Sequence, residues 1–417
     1  MREMKDCGVA WIGKIPHCWN TSKLKYLGQY INGYAFKPEE WGAKGVPIIR
    51  IQDLTGSNDN PNYFEGQIDK KYWVENGDIL ISWAATLDAF IWNKGNGWLN
   101  QHIFKAVPNR RIINYDFFFW MIKESMKNMN NDNKHGIFMQ HVTLSVFNNF
   151  TIPMPPLAEQ ERIAAFLDAE CAEIDAVLEK TRASIEEYKK LKQAVITQAV
   201  TKGIRGDRPM KNSGIEWIGD IPAEWDVLNL VAHTSMLTPM RDRPENLDGP
   251  IPWVRIEDFE GKYIESSKAG LGVSMKTVKE MNLKVYPVGT ILCTSSCIMG
   301  KCAIVSRELV SNQRFIGIIP DRTTDKTYLY YLMTSNAERM NFLSTGALQA
   351  NLSRSAFEHL KVQFPPYSEQ QEIAAYLDDK CEKIDELILK KQQYLIEIEN
   401  YKKSLIYEYV TGKKEVV

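Results

Sequence analysis

Two long stretches of the chain carry apolar residues at alternating spacings of four and three, the period of an amphipathic helix with one packing seam. Each stretch follows a Pro-Pro pair, at residues 155–156 and 365–366, and proline is tolerated at a helix start but not inside a helix. A helix over residues 163–199 would be about 55 Å long. The seam positions are Leu167, Cys171, Ile174, Leu178, Thr181, Ile185, Tyr188, Lys192, Val195 and Ala199 in the first stretch, and Leu377, Cys381, Ile384, Ile388, Lys391, Leu395, Ile398, Lys402, Leu405 and Tyr409 in the second.

An amphipathic helix of this length needs a partner to bury its apolar seam. Two copies in one chain, separated by a globular segment, favour an intrachain antiparallel coiled coil that holds two globular domains apart about a pseudo-two-fold axis. A coiled-coil stalk that joins two chains is the alternative. We expect Thr181 and Lys391 to lie on the seam as polar residues that set the helix register.

The segments outside the helices show short apolar runs bounded by turn signals such as Asn76-Gly77 and Asp248-Gly249. These runs predict strands at residues 46–51, 79–82, 103–107, 253–256, 290–294 and 315–319. Aromatic-rich helices are predicted at 115–125 and 327–336, and a polar linker containing Gly and Pro at 202–212. The pattern is typical of two mixed α/β parts within an α+β chain.

The chain repeats itself at an offset of 210 residues. Pro155-Pro156, Glu159-Gln160 and Leu167-Asp168 recur as Pro365-Pro366, Glu369-Gln370 and Leu377-Asp378, and this register continues without a gap to Val410-Thr411. A second echo links residues 8–19 to 214–225, as Gly-x-x-Trp-Ile-Gly-x-Ile-Pro-x-x-Trp. The segments between these motifs have diverged. Similar scaffolds with different surfaces suggest one task performed twice with different specificities.

Composition narrows the class of protein. A chain of 417 residues with 44% apolar residues is long enough for two or three domains with real cores. It has neither an apolar run long enough to span a bilayer nor a signal-peptide core, so we expect a cytoplasmic protein with no membrane partner. Seven cysteines, an odd number, fit a reducing compartment. The net charge of −1 argues against a simple nonspecific nucleic-acid binder.

Motifs that resemble catalytic or metal sites fail on inspection. Gly8-x-x-x-x-Gly13-Lys14 has Ile15 where a phosphate loop needs Ser or Thr, and its copy has Asp220 in place of the lysine. Phe364-Pro-Pro-Tyr367 lacks the side-chain carbonyl of the amino-methyltransferase motif that it imitates. Cys293, Cys297 and Cys302 have no fourth ligand at a suitable spacing and are interpreted as buried thiols. We therefore predict no catalytic residue, cofactor or metal in this chain.

The duplicated frame is similar to the specificity (S) subunit of type I restriction-modification systems. The resemblance rests on the repeated Trp-Ile-Gly motif and on Pro-Pro-x-x-Glu-Gln-x-x-Ile-Ala-x-x-Leu-Asp at the start of each helix, and it covers essentially the whole chain. It implies two target-recognition domains, 1–156 and 204–366, and two spacer helices, 157–203 and 367–417. Each domain would read one half of a split double-stranded DNA target.

The resemblance also implies protein partners. These are two adenine-methyltransferase (M) subunits that bind S-adenosylmethionine and two ATP-driven motor-nuclease (R) subunits. The chain itself would be a non-catalytic scaffold, which agrees with the failed motifs.

Polar residues near predicted strand ends and loops are the candidates for DNA contact, because bases are read by Arg, Asn, Gln, Asp and Glu side chains. They are Arg50, Gln52, Asp53, Ser82, Gln101, His102, Gln140 and His141 in the first domain, and Arg255, Glu257, Asp258, Ser295, Ser296, Gln313, Arg314, Asn351 and Arg354 in the second. Residues shared by both copies suit phosphate contacts or scaffold roles as well as they suit base reading. Pairs that differ, such as His102 with Arg314, are the better base readers.

Two other classes of function stay open from sequence. A cryptic methyltransferase or nuclease would show activity as an isolated chain with S-adenosylmethionine and DNA. A scaffold unrelated to DNA would protect no specific sequence once methylating subunits are added.

Overall fold

The computed structural model describes residues 2–57, 60–132, 142–239, 242–296, 299–343 and 352–416, apart from the side chains of residues 130–132. It divides into two compact units. The first unit comprises Met1–Thr181 and Gln393–Val417, and the second comprises Arg182–Gln392. Each unit contains one globular α/β part and a segment of both long helices.

The globular part of the first unit is built on two four-stranded sheets, with strand orders β6-β5-β10-β7 and β4-β11-β8-β9. Trp19, Phe117, Phe118 and Phe147 are fully buried in its main core. Its elements are β1 (Met4–Asp6), β2 (Lys14–Pro16), β3 (Asn20–Lys23), β4 (Gly28–Asn32), β5 (Val46–Ile49), α1 (Ile51–Thr55), β6 (Tyr63–Phe64), β7 (Trp73–Val74), β8 (Ile79–Ser82), β9 (Asp88–Ile91), β10 (Gly97–Leu99), β11 (Ile103–Pro108), α2 (Tyr115–Asp132), α3 (Leu144–Asn149) and β12 (Thr151–Met154).

The globular part of the second unit repeats this plan with sheets of order β16-β23-β20-β21-β18 and β19-β17-β22. Trp225, Tyr328 and Phe357 are fully buried in its main core. Its elements are β13 (Met210–Asn212), β14 (Asp220–Pro222), β15 (Asp226–Asn229), β16 (Thr234–Leu237), β17 (Ile251–Val254), β18 (Tyr263–Ile264), β19 (Gly272–Val273), α5 (Met275–Glu280), β20 (Ile291–Thr294), β21 (Cys302–Val305), β22 (Val310–Ser311), β23 (Phe315–Pro320), α6 (Lys326–Ser335), α7 (Ala337–Leu343), α8 (Arg354–Glu358) and β24 (Lys361–Phe364).

The long helices are α4 (Leu157–Lys202) and α9 (Tyr367–Val410), and they pair in antiparallel fashion within each unit. In the first unit the rings of Phe166 and Tyr409 are 4.4 Å apart, and Lys402 Nζ lies 2.6 Å from an oxygen of Asp175. In the second unit Lys192 Nζ lies 2.6 Å from Asp385. Partners therefore move backward along α9 as they move forward along α4, as in an antiparallel coiled coil.

The predicted seam faces inward. All of its residues are buried or half-buried, as the amphipathic period requires. Thr181 is buried, and its hydroxyl donates to the Val177 carbonyl at 2.8 Å. Lys391 is half-buried, with its ammonium 5.7 Å from the centre of the Tyr188 ring. The prediction that both polar residues lie on the seam is confirmed.

The Glu-Gln pair at the start of each long helix fastens that helix to its globular part. Gln160 accepts a hydrogen bond from the backbone N–H of Asn114 at 2.7 Å, and Gln370 accepts one from Asp325 at 2.8 Å. Asn114 and Asp325 in turn cap the first turns of α2 and α6 through their side chains. The repeated motif is thus explained by repeated structural contacts.

The preceding glutamate is buried in both copies. Glu159 accepts from the indole N–H of Trp19 at 2.9 Å, and Glu369 accepts from that of Trp225 at 3.0 Å. Each carboxylate also pairs with an arginine, Arg2 at 2.5 Å and Arg208 at 2.6 Å. The two tryptophan motifs and the two helix starts therefore belong to one repeated cluster.

We expect Glu369→Gln to lower the free energy of unfolding by about 1.5–3 kcal/mol, because the largely buried Arg208 would exchange a buried charged partner for an amide and keep only the exposed carboxylate of Glu224 as a counter-charge. Urea unfolding of the full chain measures this loss. The matched control is Glu372→Gln, whose pair with Arg205 is half-exposed and should cost less than about 1 kcal/mol. Equal losses in the two variants would contradict this assignment.

The predicted α+β class with an internal repeat and antiparallel long helices is confirmed, but two strands end early. The strand predicted at 46–51 stops at Ile49, and the one predicted at 253–256 stops at Val254. The chain turns at the end of each strand, and an aspartate carboxylate stabilises the turn. Asp53 accepts a hydrogen bond from the Arg50 backbone N–H at 2.8 Å, and Asp258 accepts one from the Arg255 backbone N–H at 2.6 Å. The four-part division at 156, 203 and 366 stays a prediction.

Candidate functional site

Two parallel strands bring distant polar residues together at one sheet edge in the first unit. Strand β5 pairs with β10 in parallel, with Ile49 opposite Leu99, and the Asn100 N–H donates to the Ile49 carbonyl at 3.2 Å. Side chains that follow parallel strands emerge at the same edge of the sheet. Residues 50–52 therefore lie beside residues 100–102, although about 50 positions separate them in the sequence.

These residues line a cleft of about 410 Å³, named here the Trp41 cleft. It collects four sequence-predicted candidates, Arg50, Gln52, Gln101 and His102. The rest of its lining is Trp41, Ile51, Thr55, Ser57, Ala85, Thr86, Asn100 and Ile103. The cleft combines one guanidinium, three amides, an imidazole and an exposed indole, a mixture suited to hydrogen bonding with base edges.

The second unit has the same strand edge with different side chains. Strand β17 pairs with β22 in parallel, with Val254 opposite Ser311, and the Asn312 N–H donates to the Val254 carbonyl at 3.4 Å. This contact is the counterpart of Asn100 with Ile49. It brings Arg255 and Glu257 to the same edge as the exposed Gln313 and Arg314.

A further backbone hydrogen bond occurs at equivalent positions in the two units. The carbonyl of His102 accepts from the Trp83 N–H at 3.3 Å, and the carbonyl of Arg314 accepts from the Ser295 N–H at 2.8 Å. His102 and Arg314 thus occupy equivalent places, as the sequence alignment predicts. Both side chains are exposed.

Comparison with known proteins decides the family. The model of the "Type I restriction modification DNA specificity domain" matches residues 16–187 and 226–400, well over half of the chain. The chain belongs to the type I restriction-modification specificity subunit family. The resemblance found in the sequence is thereby confirmed.

Relatives match this specificity subunit over nearly its full length. The EcoBI specificity subunit of Escherichia coli is 23% identical over 99% of this chain and 90% of its own. A putative MjaX specificity subunit of Methanocaldococcus jannaschii is 25% identical over 97% and 96%.

Solved structures support the same fold. A chain from a structure described as "Structural basis underlying complex assembly and conformational transition of the type I R-M system" has a TM-score of 0.75. It is 15% identical, with 96% of this chain and 99% of that chain covered. The HsdS subunit from Thermoanaerobacter tengcongensis has a TM-score of 0.51 at 16% identity, with 96% and 98% covered.

Four of the candidate contacts of the specificity subunit are buried or hydrogen-bonded within the protein. Ser82 is fully buried and its hydroxyl donates to the Ala84 carbonyl at 3.2 Å. Ser295 and Asp258 are also buried. Asp53 and Asp258 both use their carboxylates to cap the chain after a strand. For all four residues, burial or hydrogen bonds within the protein favour structural roles, and their contact with DNA stays a prediction.

The other candidates among the described residues lie at or near the surface. Ser296 is half-buried, and Arg354 opens α8 with its Nε 2.7 Å from Glu358 Oε1. Gln140, His141 and Asn351 lie outside the described residues.

The sequence interpretation missed Trp41 and Thr86 of the Trp41 cleft. An isolated tryptophan in the polar run Pro38-Glu-Glu-Trp-Gly was the available signal for Trp41.

The described residues do not form a metal site. Among the described residues there is no cluster of three or more His, Cys, Asp or Glu side chains able to hold a metal ion. Cys293 and Cys302 lie opposite each other on β20 and β21 in the core, where burial raises the pKa of Cys293. No helix in the described ranges has both the length and the apolar character needed to cross a membrane.

Proposed function

We propose that this specificity subunit reads a bipartite double-stranded DNA sequence, with each globular part reading one half. The observation that carries the proposal is the pair of equivalent strand edges with different side chains. His102 stands where the other copy has Arg314, and Gln52 stands where it has Glu257. A common scaffold with exchanged polar groups is what two readers of different sequences require.

In this proposal the base readers include Gln52, Gln101 and His102 in the first part and Glu257, Gln313 and Arg314 in the second. Arg354 and Ser296 supply further contacts, and Gln140, His141 and Asn351 stay candidates on sequence grounds. A guanidinium suits guanine and an amide suits adenine, so Arg314 and Gln101 are assigned accordingly.

Catalysis belongs to partners in this proposal. The chain holds two adenine-methylating M subunits and two motor-nuclease R subunits around DNA in the cytoplasm, and it is not itself an enzyme. The outer faces of the long helices suit docking, since Glu173, Glu186, Glu187, Glu382 and Glu386 are all exposed there. Phosphate contacts shared with M subunits would account for the modest charge of this chain.

The proposal is tested on the complex recovered from the native cell through a tag on this chain. Its methylated sequence is read from the genome, and competition binding is then measured on duplexes carrying single-base changes. We expect Arg314→Ala to relax the preference at one base pair by about 1–3 kcal/mol.

Three results would contradict the proposal or part of it. Loss of affinity on all sequences alike, with the salt slope reduced by about one unit, would place Arg314 on a phosphate. No change in either measure would remove Arg314 from the interface. A parental complex without sequence preference would reject the proposed function as a whole.

A further inference from the structure

The two copies hold an equivalent arginine in different ways. Arg50 and Arg255 each follow the strand that forms the parallel pair, and each backbone N–H is bound by an aspartate three residues later. The guanidinium carbon of Arg50 lies 5.2 Å from the centre of the Trp41 ring. Arg255 Nη1 instead lies 3.0 Å from Glu257 Oε1. The same position therefore presents a ring-supported cation in one copy and an ion pair in the other.

Hydrogen bonds hold the backbone around Trp41 in place. Its N–H donates to the Pro38 carbonyl at 3.2 Å, which closes a 3₁₀ turn. The next residue, Gly42, exchanges two hydrogen bonds with Tyr63, of 2.8 and 3.0 Å. Tyr63 belongs to β6, which pairs with β5, the strand that leads directly to Arg50. One sheet thus fixes the ring and the arginine relative to each other.

The indole is nevertheless 42% exposed, on the wall of the Trp41 cleft. Burial in the core does not account for its placement. The lining also includes Ala85, which has φ of 59°, a left-handed conformation that a residue with a Cβ rarely adopts. Backbone strain of this kind concentrates at binding sites.

We propose that Trp41 is a positioning residue that holds the Arg50 guanidinium for bidentate hydrogen bonding to a guanine in the half-target of the first part. This inference rests on the proposed function. An aromatic ring 5.2 Å from the guanidinium attracts the cation without accepting hydrogen bonds from its N–H groups, and those groups match guanine O6 and N7. Arg255, whose guanidinium is paired with Glu257, is not assigned this role.

A base edge suits the cleft better than a phosphate. Arg50 shares the lining of the cleft with the amides of Gln52 and Gln101 and with the Thr86 hydroxyl. Amides and hydroxyls supply both donors and acceptors, whereas a phosphate oxygen uses donors alone. The mixed lining therefore favours the mixed pattern that base pairs present in the major groove.

The test is competition binding of the native complex to duplexes that carry single-base changes in its target. The protein variants compared are Arg50→Lys, Trp41→Leu, Trp41→Phe and the double variant Arg50→Lys/Trp41→Leu. Arg50→Lys keeps the charge and loses the planar fork, so it should lower the preference for one guanine by about 10-fold or more with an unchanged salt slope. Trp41→Leu should lower the same preference, and the double variant should lose little beyond Arg50→Lys. Trp41→Phe should keep most of the preference, because a ring is retained.

Tyr26→Leu is the matched control. Tyr26 is 64% exposed and has the Lys25 ammonium 5.2 Å from the centre of its ring, but it lies outside the cleft. It should leave both half-targets unchanged. Uniform weakening on all sequences by the Trp41 and Arg50 variants would overturn the inference, as would a Trp41→Leu effect that adds fully to that of Arg50→Lys. Preference retained in every variant would overturn the inference while leaving the proposed function intact. A parental complex with no sequence preference would reject the proposed function itself.

Discussion

Lengthening both long helices by one heptad is expected to widen the nonspecific spacer of the DNA target by about three base pairs and to keep both half-targets. Seven residues add about 10 Å to an α-helix, and one base pair occupies about 3.4 Å of duplex. The motivation is the gapless 210-residue register together with the continuous helices α4 and α9. A helix pair that acts as a ruler must transmit its own length to the DNA.

The antiparallel register determines where the two insertions belong. Residue 175 pairs with residue 402, so an insertion after Thr181 is matched by one before Ile396. Duplicating residues 175–181 and 396–402 repeats the seam and also repeats the pair of Asp175 with Lys402. The heptad phase, and with it the buried face, is then preserved.

The spacer length is measured by mapping the methylated motif in cells that carry the lengthened chain. The second half-target also turns by about a third of a helical turn with three added base pairs, so weaker overall methylation is expected. Inserting three residues in each helix breaks the heptad phase and should destabilise the pair, which makes it the control for phase. Methylation at the original spacing by the heptad variant would disprove the ruler.

The long helices could be predicted from sequence because their signal is local. A seam that recurs every three or four residues needs no knowledge of the rest of the fold, and its positions are inward-facing in the structure. The repeated Glu-Gln motif was recognised, but its physical meaning was not. The contact between Gln160 and Asn114 links residues 46 positions apart, which no periodicity reports.

The Trp41 cleft was predictable in part. Arg50, Gln52, Gln101 and His102 could be chosen because they lie near predicted strand ends and loops. Their meeting depends on the parallel pairing of β5 with β10, and parallel partners are not adjacent in sequence.

The burial of Ser82 and Ser295 could not be predicted from sequence for a related reason. A serine at the end of a strand looks accessible in sequence, whereas these two are buried in the fold. The Ser82 hydroxyl is satisfied by a carbonyl two residues away, and the Ser295 N–H by the carbonyl of Arg314.

Replacing residues 29–150 with the equivalent segment of a related specificity subunit of known, different target is expected to exchange one half of the recognised sequence and to leave the other half unchanged. The retained frame has its own contacts. Strand β3 pairs with β12, with Lys23 opposite Thr151, and the Trp11 indole N–H donates to the Thr151 carbonyl at 3.0 Å. Trp19 keeps its bond to Glu159. The exchanged segment therefore carries the Trp41 cleft on a frame that stays whole.

The expected change is large, since specific sites are bound about 10³-fold or more tightly than nonspecific DNA. Mapping methylated adenines in cells carrying the chimera shows which half-target has moved. The reciprocal control exchanges the diverged segment of the second unit, which should alter the other half alone. The segment's own Tyr30 hydroxyl donates to the Leu24 carbonyl of the frame at 2.9 Å, so a donor with tyrosine at that place keeps the junction intact. If one chimera alters both half-targets together, the two parts do not read independently, and the proposal of one reader in each part is wrong.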